Sequence, residues 1–88
     1  MADYLDKTKS ELTEDELLAI EIRMKISSRI NSLMNDSGMR LSELAKRSGM
    51  TITGVRRVIT AEYSPSLLTI AKLEKALGDK IIEVAEDD

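Results

Sequence analysis

Apolar residues recur along most of the chain at spacings of three and four, the period of an α-helix packed on one side. Leu17, Leu18, Ile22, Ile26, Ile30, Leu33 and Met34 trace one such stripe. Thr13 stands before it with Glu16 three residues on, the pattern of a capping box, and Asn35-Asp36-Ser37-Gly38 supplies the stop. The spacing predicts a first helix of about 35 Å, longer than a small core needs. Its first half, with Leu17, Leu18, Ile20 and Ile22, is expected to hold apolar surface suited to another protein. A short helix follows over Leu41–Ser48, ended by Gly49. Thr51 caps a third, from Ile52 to Thr60, with Val55, Val58 and Ile59 inward. After the loop Ala61–Pro65, Ser66 caps a fourth, whose inward face reads Leu67, Ile70, Leu73, Ala76 and Leu77, closed by Gly78. Lys80-Ile81-Ile82-Glu83-Val84 is a β-branched run that reads as a strand or extended arm, able to pair with its own copy or offer an edge.

The expected architecture is therefore all-α, a compact bundle of four to five helices with an extended first helix and a short C-terminal strand or arm. Residues 1–12 form a flexible acidic segment, 13–79 the folded domain and 80–88 the arm with an acidic tail. With 88 residues the chain holds one modest core.

Composition narrows the chemistry. The absence of Cys removes disulfides, thiol nucleophiles and cysteine-bound zinc, and the absence of His removes the commonest general base. Tyr4 and Tyr63 are the only aromatics, too few for a base-stacking platform on single strands. No clustered carboxylate pair, glycine-rich phosphate loop or metal-ligand spacing appears, so no enzyme, cofactor or metal is expected. No apolar run reaches the length of a membrane span, and residues 1–16 are too polar for a signal peptide, which makes the cytoplasm the expected location.

The net charge of −3 argues against nucleic acid until it is located. Residues 1–21 carry seven acids against Lys7 and Lys9. Between Ile22 and Glu62 stand Arg23, Lys25, Arg29, Arg40, Lys46, Arg47, Arg56 and Arg57 against Asp36, Glu43 and Glu62. The last six residues add Glu83, Glu86, Asp87 and Asp88. A cationic body thus lies between two acidic ends, which suit a basic partner or oppose indiscriminate phosphate binding.

The informative stretch is Leu41–Thr60, LSELAKRSGMTITGVRRVIT. Two short helices joined at Gly49, with small Ala45 where they approach and Val55 as the reciprocal contact, form the pattern of a helix-turn-helix at 41–60. Leu44-Ala45, Gly49-Met50-Thr51, Ile52-Thr53-Gly54-Val55, Val58 and Ser66–Gly78 together resemble the Cro/repressor-like (lambda-repressor-like) helix-turn-helix family. The resemblance runs from about Ile26 to Gly78. It implies a sequence-specific, double-stranded-DNA-binding transcriptional regulator, a repressor acting as a homodimer on two half-sites about 34 Å apart. By position it implies base contacts from Ile52, Thr53 and Arg56, the Arg suited to guanine and the others to a thymine methyl. It implies phosphate contacts from Arg40, Ser42, Lys46, Arg47, Thr51, Arg57 and Thr60.

The sequence departs from the family pattern at four places. Arg40 stands where a Ser or Thr cap is usual, Leu41 where a Gln commonly meets DNA, Ser48 where a larger apolar residue is common, and Ala61 where Gly often turns the chain. Small members with extra terminal segments are often antitoxins of the HigA type, which bind a basic toxin, and residues 1–21 suit that role. The alternative is an interaction module that keeps the fold without DNA binding. Leu41 and Ile52, expected at exposed readout positions, favour it.

Overall fold

The computed structural model describes residues 12–84. Four helices make up their regular structure: α1 Glu14–Ser37, α2 Leu41–Ser48, α3 Ile52–Ile59 and α4 Leu67–Leu77. The expectations for residues 1–11 and 85–88 lie outside the described residues. No helix among the described residues is long and apolar enough to cross a membrane.

Local chemistry sets the helix ends. Thr13 Oγ1 accepts from the Glu16 N–H at 3.1 Å, while the Thr13 N–H donates to Glu16 Oε1 at 3.4 Å. That reciprocal pair satisfies two backbone donors that a helix start leaves over, and Glu14, Asp15 and Glu16 sit at the positive end of the helix dipole. At the far end Gly38 takes φ +70°, a left-handed conformation that costs glycine nothing, and the chain reverses into α2. Ser66 caps α4 by accepting from the Thr69 N–H at 3.1 Å.

Ten side chains form the core: Ile26, Ile30, Leu33, Leu44, Ala45, Val55, Val58, Ile70, Leu73 and Ile81. α2 packs on both α3 and α4, and α1 packs on α3. All three buried residues of α1 belong to its second half. Leu17, Leu18, Ile22 and Met24 in the first half are between 51% and 60% exposed.

Three expectations change. Leu67 is 81% exposed, because α4 is turned so that Ile70 and Leu73 define its inner face and leave its first residue outside. Leu41 is half-buried against the core, the position of a packing residue rather than of an exposed readout residue. Lys80–Val84 forms no strand. The isolated run has no neighbouring edge to bond, so its backbone donors find a side chain instead. The Ile81 and Ile82 N–H groups both donate to Glu74 Oε2, at 2.8 and 3.1 Å, and Ile81 buries its side chain in the core. Those two bonds hold the Glu74 carboxyl below its ordinary pKa. Arg29 Nε donates to the Lys80 carbonyl at 3.0 Å, and its guanidinium lies 3.6 Å from Asp79, fastening the same arm to α1.

Candidate nucleic-acid interface

The rotation of α3 about its axis follows from Val55 and Val58, which are 0% and 1% exposed. At 100° per residue their burial turns Thr53, Arg56, Arg57 and Thr60 outward, with Ile52 at the edge. All five are exposed, Ile52 by 43%. α2 fixes where that face points. Leu44 and Ala45 bury against α3 and α4, and Gly49 at φ +73° returns its N–H to the Ala45 and Lys46 carbonyls, setting the angle between the two helices.

Thr51 begins α3 with its Oγ1 accepting from the Gly54 N–H at 3.0 Å. The Thr51 hydroxyl is therefore committed to the helix while remaining at the surface. α3 has no acidic residue in its first turn and carries Arg56 and Arg57 further on, so its positive dipole end is not offset from within the helix. Gly54 matters to the same cap. A Cβ there would lie 3.1 Å from Thr51 Oγ1, tight enough to press on the hydroxyl that closes the first turn.

The other expected contacts divide into two groups on α2. Arg40 and Ser42 lie at its start and Lys46 and Arg47 in its last turn, about 8 Å further along the axis, all four exposed. Arg40 occupies the N-cap with an extended backbone and gives no side-chain cap hydrogen bond, leaving its guanidinium unused by the helix. Arg47 is engaged: its guanidinium lies 2.8 Å from Glu43 Oε2, one turn earlier. Both side chains are about half exposed, so the pair holds a geometry more than it adds stability. Arg40, Lys46, Arg56 and Arg57 pair with no carboxylate among the described residues.

Thr60 differs from the expectation of a free hydroxyl. Its Oγ1 lies 2.9 Å from the Arg56 carbonyl and hydrogen-bonds to Glu62 Oε2, which puts a carboxylate at the end of α3. Next to it an open groove of about 580 Å³ is lined by Gly54, Arg57, Glu62 and Tyr63. The turn that carries Glu62 is held by Ala61 at φ +59°, the one non-glycine residue with positive φ among the described residues. Ser27 and Asn31 of α1 donate to the Ile59 carbonyl, so the C-terminal end of α3 is tied to α1 while its first turn is left open to solvent.

Sequence reasoning passed over Lys72 and Lys75. They line a second groove, about 480 Å³, together with Arg47, Ser48 and Ala76. Their three-residue spacing on α4 was visible, but the approach to Arg47 depends on how α2 crosses α4. Ser48, small where a larger apolar residue was the usual occupant, is buried there and donates to the Ala45 carbonyl at 3.2 Å.

The arrangement presents a short helix with two arginines unpaired among the described residues, a hydroxyl-bearing residue and an N-terminus without acids of its own, braced by a second short helix with cations at both ends. Such a surface offers bidentate donors to guanine and point charges to phosphate. A family model described as Helix-turn-helix matches residues 30–81, well over half of the chain. Searches of curated proteins and of solved structures gave no match.

Proposed function

Because the chain belongs to the helix-turn-helix family, which points to DNA binding and transcription regulation, we propose that it is a sequence-specific repressor that binds double-stranded DNA as a homodimer. The observation that carries this reading is the outward face of α3, where Thr53, Arg56 and Arg57 stand exposed on a helix without acids. In the docking mode of such domains this helix enters the major groove. Arg56, exposed on one side of that stripe, takes a guanine edge. Thr53 and Ile52 lie against a neighbouring thymine methyl. Arg57, Arg40, Ser42, Lys46 and Thr51 meet phosphates on either side, with Arg47 available once a phosphate displaces Glu43. One helix of eight residues reads only a few base pairs, so a two-fold pair of chains on two half-sites is needed for useful specificity.

The half-buried position of Leu41 supports this reading over a non-binding interaction module, since one of the two apolar residues thought to spoil the readout face packs against the core. A narrower reading, the antitoxin of a toxin–antitoxin pair, draws on the acidic first turn of α1 and its exposed leucines as a fit for a basic toxin. Co-expression with the product of the adjacent gene tests it.

Titration of a random duplex at several salt concentrations tests the main reading. The four cationic phosphate contacts, Arg40, Lys46, Arg47 and Arg57, predict a log–log slope of about −3 to −4 per subunit. On a selected operator, Arg56→Ala should cost about 1–3 kcal/mol and relax one base position, whereas Arg57→Ala should weaken all sequences alike. Absence of binding at low salt, or a flat response, excludes the proposal.

A further inference from the structure

The N-terminal half of α1 has an apolar face that no other described residue covers. Leu18 and Ile22 stand one turn apart, each 54% exposed. Beside them runs an apolar cleft of about 250 Å³, whose walls include Ile22, Ile26, Pro65, Leu67 and Ile82. Arg23 also stands in that wall, with its Nε buried and lacking a hydrogen-bond partner. A buried donor left unpaired is costly, so the occupant that suits this cleft brings apolar side chains together with an acceptor.

Charge selects the occupant. Glu14, Asp15, Glu16 and Glu21 lie on the first two turns of α1, and Arg23 and Lys25 on the next two, with Arg29 just beyond. A basic partner would be attracted to the first group and repelled by the second. A helix of this kind is complementary to its own reversed copy. With a two-fold axis crossing the Leu18–Ile22 face midway between those two residues, Leu18 of each chain meets Ile22 of the other and Asp15 approaches Lys25. Such a contact is isologous and closes on itself as a dimer.

We propose that this face, the first half of α1 with the adjoining cleft, is the surface through which two copies of the chain pair in antiparallel fashion. The inference deepens the homodimer reading and rests on it. Lys25 already lies 3.2 Å from Glu21 in its own helix, which holds its ammonium at the flank of the contact.

Sedimentation velocity on the full chain tests the pairing. The wild type is expected to be a dimer, and Leu18→Glu, which sets two carboxylates into the apolar centre, should raise its dissociation constant about a hundredfold or more. Leu18 is half exposed, so the circular-dichroism melt of that variant should keep a folded transition, separating lost pairing from lost fold. Lys25→Glu alone should weaken the dimer, and adding Asp15→Lys should restore it. Since the chain has no cysteine, a mixture of Leu18→Cys and Ile22→Cys chains should oxidise to the mixed dimer faster than either variant dimerises alone. A monomeric wild type overturns the proposal, as does a Leu18→Glu dimer of unchanged affinity. A wild-type monomer that pairs only after removal of residues 1–11 also overturns it, giving the face to the chain's own beginning. Duplex binding measured on the same samples keeps the two readings apart. A monomer that binds DNA with steep salt dependence sinks only the pairing surface, and a dimer without DNA affinity sinks only the regulator.

Discussion

Replacing Glu74 by Gln isolates the charge that holds the C-terminal arm. Glu74 Oε2 accepts from two backbone donors, Ile81 at 2.8 Å and Ile82 at 3.1 Å, and a Gln amide oxygen can keep both contacts. A charge-assisted hydrogen bond contributes about 1.5–3 kcal/mol and a neutral one about 0.5–1.5, so two bonds lose about 2 kcal/mol in a fully dry setting. Glu74 is only half-buried, and solvent screening reduces the expected loss to about 1 kcal/mol. In a domain of this size that lowers the melting temperature by about 4–8 °C. The pH dependence identifies the cause. The folded carboxyl titrates below its ordinary value of 4.5, so the unfolded chain binds more protons in that interval. Its contribution is present above the unfolded pKa and is lost as pH falls through the folded one. Thermal melts followed by circular dichroism should therefore show a gap between wild type and Glu74→Gln at neutral pH that closes as the pH falls below the usual carboxylate range. A gap of equal size at both pH values, or none at neutral pH, would refute the carboxylate as the clasp.

Ala61→Gly should stabilise the fold. A left-handed L-residue costs about 1–2 kcal/mol, and the extra freedom of Gly in the unfolded chain returns about 0.4–1, leaving a gain of about 0.5–1 kcal/mol in denaturant unfolding. Arg40→Ser should move two measurements in opposite directions. It supplies the side-chain cap that α2 lacks, raising stability by about 1 kcal/mol, and it removes the phosphate contact proposed for Arg40, which should weaken duplex binding at low salt.

The parts of this fold that were legible in the sequence are those decided within one turn of chain. Thr13 with Glu16, Thr51 and Ser66 announce helix starts because a short oxygen-bearing side chain reaches an N–H three residues on, and Gly38, Gly49 and Gly78 announce stops because they tolerate positive φ. The outward set on α3 was equally readable, since Val55 and Val58 fix the rotation of so short a helix. What escaped depends on distant partners. Leu67 fits the apolar period of α4 yet lies outside, because the inner face is chosen by where α2 crosses the helix rather than by spacing alone. Ile81 and Ile82 have the composition of a strand, but a strand needs an edge, and a carboxylate seven residues back competes for the same N–H groups. The engagement of Thr60 with Glu62 was hidden for a similar reason, since it requires the turn that Ala61 makes.

The 24-residue length of α1 also has a mechanical consequence. The helix is anchored only from Ile26 onward, so its first residues stand about 18 Å beyond the last buried side chain, as the tip of a rigid rod. A rotation of about 10° at the anchor displaces that tip by about 3 Å. In the proposed dimer, a small change of that angle would alter the separation of the two α3 helices without repacking either core.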